Sequence, residues 1–580
     1  MSVKVREPIN YYTTNEDLKF TFDQMVDWEK LLSYYEEGDL DTYKMTLETA
    51  GKLAGQKIAQ RLTDSDREGS HFNPQTGNID WAKGLEQSFQ ELKEAGLVCL
   101  LIQEEGGPGF PMTVSTAVTE MISRADPASM TKYGLLEGVA ETIERFGSEE
   151  MKAEYLPKLI SGEHTASMDL TEAEAGSDLG GIATKVKEKD GKYFIEGTKT
   201  FITVCDSDVH LALVREDDTY SQTKGTTKGL SMYVVPKKLK DGTDNKVKVS
   251  KTEDKFGIKG TATGIVNYEG AQGFLVGVKG QGLKQMLRLM FGARLGVAAQ
   301  AVGIAEAAYS EAREYAGVRK QFKEEIIKQP LVAEMLIEMK LNIEASRALI
   351  YDTAQAVDFE RGLEKKLKAR PDDENLKKEL KKYRSKGRVL TTVVKYFVCE
   401  KAIQIARNAL QIHGGVGYTR EYLVEQFVRD SIITTIYEGT SEIQVSMAAA
   451  DILRGLFNDE LSEIRSYLGG VKESLTDYAK KVGRAIDRLQ SSIEKLQGDF
   501  FSSGGDKYVR LRAKELSDIV ADIYISYLFL KQAEKSERKE TVAKIFIDKM
   551  TPRVEMKATY IESMNKSVLL NQDKIIEGRN

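Results

Sequence analysis

The chain is 580 residues long, with a formal net charge of −6 at pH 7 and only ten prolines. This length exceeds what one hydrophobic core can serve, so it indicates roughly three or four domains or layers. The acidic balance excludes an overall basic field for nucleic acid, and the scattered cysteines and histidines argue against a disulfide framework or a metal centre.

The sequence carries no segment that predicts membrane insertion or export. No apolar run approaches the ~18 residues that a membrane span needs. Residues 1–17 lack the apolar stretch of a signal peptide. We therefore expect a cytoplasmic protein without stable membrane insertion.

Residues 1 to about 165 predict an N-terminal helical domain. Apolar residues recur at helical spacing from Leu40 to Arg61, and a helix from Trp81 to Glu94 is expected to end at Ala95-Gly96. Helices are also expected over residues 114–124 and 135–146, with a break at Asp126-Pro127.

Between about 166 and 275 the pattern changes to that of a middle β domain. Short runs of β-branched and aromatic residues alternate with turn residues, which favours an antiparallel sheet or a small barrel. No G-x-G-x-x-G motif follows a strand, so a nucleotide-binding Rossmann unit is not supported. The predicted strands cover residues 192–197, 200–204, 210–214, 230–235, 246–251 and 264–268.

Residues 276–455 predict a C-terminal helical bundle. The run from Leu283 to Ala316 is rich in Gly and Ala, which lets helix backbones approach closely. A charged insert, residues 357–388, has Pro371 near its middle, and we expect it to be a solvated hairpin of two extended helices. A partner or dimer contact is the alternative interpretation.

Residues 456–580 predict an additional helical module, a small antiparallel bundle. Its acidic and basic residues are near balance, which does not favour a nucleic-acid module. Helices are expected over residues 461–496, 508–532 and 541–570, with breaks at Gly498 and at residues 502–505. The complete chain is thus predicted to be α+β and mostly α.

The stretch Ile436–Gln444, with the sequence IYEGTSEIQ, places one carboxylate before a helix. Thr440 or Ser441 is expected to cap that helix, so Glu438 should lie in the short loop that precedes it. Backbone N–H groups from Gly439 onward could face the same way as the carboxylate. Taken alone, a loop glutamate is usually a solvated surface charge.

Four segments resemble, in this order and spacing, motifs of the acyl-CoA dehydrogenase family. They are residues 169–178, 315–322, 411–418 and 436–444, with the sequences DLTEAEAGSD, YAGVRKQF, QIHGGVGY and IYEGTSEIQ. The resemblance covers about residues 80–455. The charged insert and the C-terminal module resemble the longer branch of the family that includes methylmercaptopropionyl-CoA dehydrogenase.

The resemblance implies three domains with FAD between them: helical, β and helical. It also implies α,β-dehydrogenation of an acyl-CoA thioester, in which Glu438 takes the α-proton and flavin N5 takes the β-hydride. Burial is expected to raise the pKa of such a base toward working pH. Some relatives carry the base on a bundle helix, but this chain has Ala293 at that position.

The resemblance further assigns binding roles to individual residues. It implies that Ser177, Arg294 and Gly439 contact the substrate, and that the Gly439 N–H donates to the thioester oxygen. His413 is expected to be structural. The cofactor-binding residues that it implies are Thr171, Ser177, Phe201, Thr203, Arg319, Gln321, Phe322, Gln411, Gly414, Gly415, Thr440 and Glu442.

The chain departs from the family pattern at Lys323, Pro330 and Glu442, the first two near the expected adenine contacts. The implied partners are electron-transferring flavoprotein and further copies of the chain, as a homodimer or homotetramer. An acyl-CoA oxidase and a DNA-associated flavoprotein on the same fold are the alternatives. The Tyr-Glu-Gly-Thr-Ser context favours the dehydrogenase over the oxidase, and the C-terminal module shows no basic patch for DNA.

Overall fold

The computed structural model describes residues 6–35, 38–500 and 506–578. Within this part of the chain, no helix is both long enough and apolar enough to cross a bilayer. All three cysteines are buried as free thiols.

The N-terminal part is helical, as predicted, and it also contains a small hairpin that the sequence does not predict. Asp126 caps one helix by accepting from the backbone N–H groups of Ala128 and Ser129, with Pro127 at the first helical position. The elements are α1 (Glu16–Phe20), α2 (Trp28–Leu32), α3 (Leu40–Leu53), α4 (Ala59–Glu68), β1 (His71–Asn73), β2 (Asn78–Asp80), α5 (Lys83–Glu94), α6 (Met112–Ala125), α7 (Pro127–Phe146) and α8 (Glu149–Ile160). A π-helical turn, Ala54–Ile58, joins α3 to α4.

The middle part forms a β domain with one short helix. Its elements are β3 (Ala166–Asp169), β4 (Lys185–Lys189), β5 (Lys192–Thr203), β6 (Val209–Glu216), α9 (Tyr220–Thr223), β7 (Leu230–Pro236), β8 (Val247–Thr252) and β9 (Thr263–Val276). The two strands predicted over residues 192–204 are a single strand, β5, with a bulge between Lys199 and Ile202.

Of the two predicted alternatives, an antiparallel sheet or a small barrel, the strand order shows the barrel. Strand β6 pairs with β4 and with β7, and the path β4–β5–β9–β7 returns to it, so five strands close on themselves. Strands β3 and β4 run parallel to β6, whereas the sequence predicts antiparallel pairing throughout. Ile195, Val214, Tyr233 and Val266 are among the side chains that fill the interior.

The C-terminal part is helical apart from one two-residue hairpin. Its elements are α10 (Gly282–Val318), β10 (Lys320–Gln321), β11 (Glu324–Glu325), α11 (Pro330–Ala369), α12 (Glu374–His413), α13 (Val424–Ile432), α14 (Ser441–Leu453), α15 (Asn458–Leu468), α16 (Thr476–Phe500), α17 (Asp506–Ala533), α18 (Glu537–Glu562) and α19 (Ser567–Ile576).

Three details of the predicted C-terminal helices are wrong. The helix expected over 461–496 is split into α15 and α16, because the chain breaks at Gly469-Gly470. Gly498 does not end a helix, since α16 continues through it. The helix expected over 541–570 ends at Glu562, where α18 stops. The break predicted at residues 502–505 lies outside the described residues.

The charged insert is the predicted hairpin, formed by the adjoining ends of α11 and α12. The prediction that the whole insert is solvated is wrong for the α11 part of the hairpin, where Val357, Phe359 and Leu363 are buried. The Phe359 ring packs against Tyr34 and Tyr383, with ring centroids 5.9 and 5.2 Å apart. The apolar positions of the insert therefore serve packing, which its high charge conceals in the sequence.

The described residues fall into two compact units. The first consists of Met1–Asn15, Tyr35–Ile326 and Ile405–Thr434, and the second of Glu16–Tyr34, Ile327–Gln404 and Thr435–Asn580. The β barrel belongs to the first unit, and the Glu438 loop to the second. The domain limits at residues 165, 275 and 455 stay predictions.

Candidate functional site

The loop that carries Glu438 lies directly before α14, as the sequence predicts. Thr440 is the helix cap, because its side chain accepts from the backbone N–H of Ile443 at 3.4 Å. Glu438 is half-buried and has φ +54°, and Gly439 has φ +89°. A glutamate in this left-handed region is uncommon, and such conformations concentrate at functional sites.

Residues that sequence reasoning missed hold this loop in place. The Gln444 amide donates to the carbonyl oxygens of Glu438 and Gly439, at 3.0 and 3.2 Å. The ammonium of Lys395, on α12, donates to the Gly439 carbonyl at 2.8 Å. One signal was available for Lys395: it interrupts the apolar run TTVVKYFV, where a charged residue needs a buried partner.

In the first unit, the candidate residues Thr171 and Ser177 lie on an ordered loop after β3. The Thr171 carbonyl accepts from the Thr200 N–H at 2.9 Å, which ties the loop to β5. Glu172 is held by the backbone N–H of Ala183 at 2.7 Å and by buried Lys199 at 2.8 Å. Ser177 is exposed at the turn, so its hydroxyl is accessible to a ligand.

Phe201 and Thr203 lie at the bulged end of β5. Phe201 is 64% exposed and has φ +58°, so it is not a core residue of the sheet. Thr203 is half-buried, and its hydroxyl lies 3.2 Å from that of Thr263. The bulge thus turns an aromatic ring outward beside a hydroxyl group, an arrangement that suits a planar ring ligand.

The segment with Arg319, Gln321 and Phe322 follows α10 as a tight hairpin, β10–β11. All three side chains are exposed, and Phe322 is 88% exposed with φ +50°. Lys323, next to it, has φ +70°. The backbone thus presents a cation, an amide and an aromatic ring on the surface of one short segment.

Gln411, Gly414 and Gly415 lie where α12 ends. All three are exposed, and a Cβ added at either glycine would meet no other atom within 4 Å. The surface of this turn is therefore accessible to a ligand such as phosphate. Gly414 has φ +64°, which a glycine adopts without strain.

His413 has the structural role that the sequence predicts. Its ring stacks on Tyr315 with centroids 4.3 Å apart, and Nδ1 lies 2.8 Å from the Ala409 carbonyl. Burial lowers the pKa of His413. Because the stack joins the ends of α10 and α12, it brings the Arg319 segment and the Gly414 turn close together within the first unit.

Arg294, a candidate substrate contact on α10, is 1% exposed. It belongs to the first unit together with Thr171, Phe201, Arg319 and Gly414. Glu438, Gly439, Thr440 and Glu442 belong to the second. The exposed ring of Phe201, the guanidinium of Arg319 and the open turn at Gly414-Gly415 are groups that fit a flavin dinucleotide, with a flat ring system and a pyrophosphate.

Family models match most of the chain in three consecutive blocks. The model "Acyl-CoA dehydrogenase, N-terminal domain" matches residues 41–163. The middle-domain model of the same family matches residues 167–271, and the C-terminal-domain model matches 280–453.

Individual relatives extend the similarity beyond these blocks. The 3-methylmercaptopropionyl-CoA dehydrogenase of Ruegeria pomeroyi is 34% identical, over 76% of this chain and 75% of the relative. The broad-specificity linear acyl-CoA dehydrogenase FadE5 of Mycobacterium tuberculosis is 27% identical, over 97% of this chain and 99% of the relative. A Bacillus anthracis acyl-CoA dehydrogenase, solved in complex with FAD, shares the fold with TM-score 0.76 and 24% identity, over 92% and 90% of the two chains.

Proposed function

The chain belongs to the acyl-CoA dehydrogenase family, and on this premise we propose that Glu438 is the base of its reaction. The protein is a flavin-dependent oxidoreductase that acts on acyl-CoA. The proposed reaction removes one hydrogen from the α-carbon and one from the β-carbon of the thioester, which gives the trans-2-enoyl-CoA. The α-proton goes to the Glu438 carboxylate.

The observation that carries this proposal is the conformation of Glu438. An α-proton of a thioester is a very weak acid, so its removal needs a base that is already in position. Glu438 has a left-handed backbone, and the carbonyl oxygens of Glu438 and Gly439 accept hydrogen bonds from Gln444 and Lys395. Together these features fix the position of the Glu438 backbone from which the side chain extends. Half-burial partly shields the carboxylate from water, which favours such a base over a solvated surface charge.

The Gly439 N–H is the proposed donor to the thioester oxygen. Negative charge builds on this oxygen as the α-proton leaves, and an oriented N–H stabilises it. Ser177 is exposed and can contact the CoA portion directly. Arg294 is buried, which favours an effect on the site through the packing of α10.

FAD is the cofactor, and when bound it supplies the acceptor for the β-hydrogen, which leaves as hydride. Phe201 and Thr203 are proposed to contact its ring system, with Thr171 beside them on the same side of the barrel. The rest of the dinucleotide is proposed to lie on the remaining segments, whose side chains are exposed except for the half-buried Thr440: Ser177, Arg319, Gln321, Phe322, Gln411, Gly414, Gly415, Thr440 and Glu442.

Electron-transferring flavoprotein is the proposed electron acceptor, and a homodimer or homotetramer is the proposed assembly. Both follow from the family resemblance.

The base assignment is tested with Glu438→Gln. The purified native protein is expected to be yellow and to lose its flavin colour when an acyl-CoA is added without oxygen. The variant should keep the flavin, while its bleaching rate falls by about 10²–10⁴-fold, the usual contribution of a general base. Glu473→Gln, at an exposed carboxylate of the C-terminal module, is the matched control and should react at the native rate.

Two results would contradict this proposal. A folded but flavin-free native protein would refute the proposed dehydrogenation. Full activity of Glu438→Gln would refute the assignment of Glu438 as the base. A panel of acyl-CoAs of different chain length and branching identifies the substrate. Hydrogen peroxide formation on admission of air would favour the oxidase.

A further inference from the structure

A path of hydrogen-bonded side chains ends at Thr203, close in sequence to the exposed ring of Phe201. Thr203 and Thr263 lie opposite each other where β5 pairs with β9, and their hydroxyl oxygens are 3.2 Å apart. The ammonium of Lys255, on the loop between β8 and β9, donates to the Thr263 hydroxyl at 3.1 Å and also to the Thr261 carbonyl. The path therefore runs from a cation, through Thr263, to the bulged end of β5.

The donors available decide the direction of the hydrogen bonds along this path. An ammonium group donates and cannot accept, so the Thr263 oxygen accepts from Lys255. Among the described residues, the Thr263 hydroxyl proton has one acceptor, the Thr203 oxygen. When Thr203 accepts this bond, its own hydroxyl proton has no acceptor in the described part of the chain. That proton is then available to a ligand.

Lys255 keeps its charge at neutral pH although it is half-buried. Burial lowers the pKa of Lys255 to about 8, so the ammonium form still predominates at pH 7. A lysine in such a place normally pairs with a carboxylate, but no such ion pair is formed here within the described residues. The charge instead polarises the oxygens that Lys255 bonds, and hydrogen bonds in series strengthen one another.

We propose that Lys255 is a positioning residue, which acts through Thr263 to orient and polarise the Thr203 hydroxyl as a donor to the flavin ring. This inference rests on the proposed contact between Thr203 and the flavin. Reduction adds electrons to the ring, so a donor aimed at one of its acceptor atoms stabilises the reduced form more than the oxidised form. Lys255 thus raises the flavin potential without touching the flavin.

The test measures the midpoint potential of the flavin in the purified holoenzyme, by reductive titration against a redox dye. Lys255→Met and Thr263→Val remove the two upstream donors and keep similar side-chain volumes. One hydrogen bond changes an equilibrium by about 2–10-fold, so each variant should shift the ratio of reduced to oxidised flavin by this factor toward the oxidised form. For a two-electron couple this lowers the potential by about 10–30 mV.

Three further variants serve as controls. Thr263→Ser keeps the hydroxyl group and should keep the native potential. Thr198→Val removes another hydroxyl that bonds between β5 and β9, to Asn267 at 2.9 Å. Lys251→Met removes an exposed ammonium on β8, which pairs with Glu253 at 3.2 Å. Neither of these last two changes should alter the potential.

The double variant Lys255→Met/Thr263→Val separates the path from a direct effect of the charge. If Lys255 acts through Thr263, the double variant shifts the potential no further than Thr263→Val alone. Additive shifts would show that the ammonium acts through space, and would refute the inference. A role confined to stability would weaken the binding of oxidised and reduced flavin alike. It would therefore lower the melting temperature or the FAD affinity and leave the potential unchanged, which also refutes the inference.

The titration needs no acyl-CoA, so its result is distinguishable from a failure of the proposed function. Native potentials in both single variants would refute the inference alone. If the protein binds flavin but no acyl-CoA bleaches it, the proposed reaction fails while the potentials still decide the role of Lys255. If the native protein binds no flavin, both fail. Should Lys255→Met not fold, the comparison of Thr263→Val with Thr263→Ser decides.

Discussion

Asp430 shows how one buried residue can control a neighbouring loop. This carboxyl group, on α13, accepts from the backbone N–H of Ile258 at 2.6 Å and from the Gln426 amide at 3.3 Å. Ile258 has φ +43°, so the bond holds a strained turn. Burial, with a further contribution from the charges of Asp66 and Asp126, raises the pKa of Asp430 to about 7.

The raised pKa of Asp430 predicts that this residue makes the free energy of unfolding depend on pH. An aspartate in the unfolded chain titrates near pH 3.9, so the folded state here favours the protonated form. The stabilisation is full below about pH 4 and is lost as the pH rises through about 7. Asp430→Asn keeps an acceptor for the Ile258 N–H and removes the titration.

Thermal denaturation at several pH values checks this prediction. Relative to Asp430→Asn, the native protein should lose about 2–4 kcal/mol of stability between pH 4 and pH 8. Comparison of the two proteins cancels the contribution of other ionisable groups. A constant difference between them across this range would contradict the assignment.

Among the elements, the hairpin of α11 and α12 shows what a charged sequence can conceal. Lys366 lies over the Tyr34 ring at 4.2 Å from its centroid, and Lys30 bonds Tyr383 at 2.7 Å. The α11 backbone comes close to Tyr34, because a Cβ added at Gly362 would lie 2.3 Å from the ring. The hairpin therefore supports the end of this segment, where Lys30 and Tyr34 pack.

Gly362→Ala is expected to destabilise this packing. The new methyl group would displace the Tyr34 ring, and overpacking of this kind typically costs about 1–3 kcal/mol. Limited proteolysis should then cut residues 16–34 faster than in the native protein. Gly387→Ala, on the facing helix, is the matched control, since its Cβ would meet its nearest atom at 3.7 Å.

The control is expected to be neutral or stabilising, by up to about 1 kcal/mol, because alanine favours a helix interior over glycine. Equal proteolysis rates for the native protein and Gly362→Ala would show that residues 16–34 do not depend on this contact.

At the scale of the complete chain, a buried ion cluster joins segments that are distant in sequence. Asp17 on α1 and Glu344 on α11 bind Lys539 on α18, with Lys539 2.8 Å from Glu344. Arg347 also pairs with Asp17, and Arg538 with Glu344. Burial alone would raise the pKa of Asp17, but Lys539 and Arg347 together hold it well below its usual range.

Lys539→Met should destabilise the second unit strongly. Removal of one partner from a buried cluster leaves uncompensated charge, which typically costs about 3–5 kcal/mol. A lower melting temperature is expected, while Lys535→Met, at an exposed lysine nearby, should melt as the native protein does. Because the pKa of Asp17 is lowered, the stabilisation is full above about pH 4 and is lost as the pH falls further.

An unchanged melting temperature for Lys539→Met at neutral pH would show that the cluster does not join α1, α11 and α18. The double variant Asp17→Asn/Lys539→Met provides a second check. It should recover part of the loss, since it also removes one of the carboxylates that Lys539 neutralises.

The sequence alone determined the features that depend on neighbouring residues. Helical spacing, capping residues and turn residues act within a few positions, so α6, β6, β7, β8 and the loop before α14 were predicted close to their observed limits. The strands β3 and β4 were not predicted, and β9 continues to Val276, well beyond the strand predicted over residues 264–268. The family motifs added the candidate base, Glu438, and the proposed cofactor residues, whose roles stay predictions.

Only the tertiary structure decided which distant residues meet. The contacts of Lys395 with Gly439, of Tyr34 with α11 and of Asp17 with Lys539 join positions whose pairing leaves no periodic pattern in the chain. Such contacts follow from how complete elements pack and from the need to pair buried charges. Residue type and spacing therefore identified a carboxylate before a helix, and packing decided how its peptide is held.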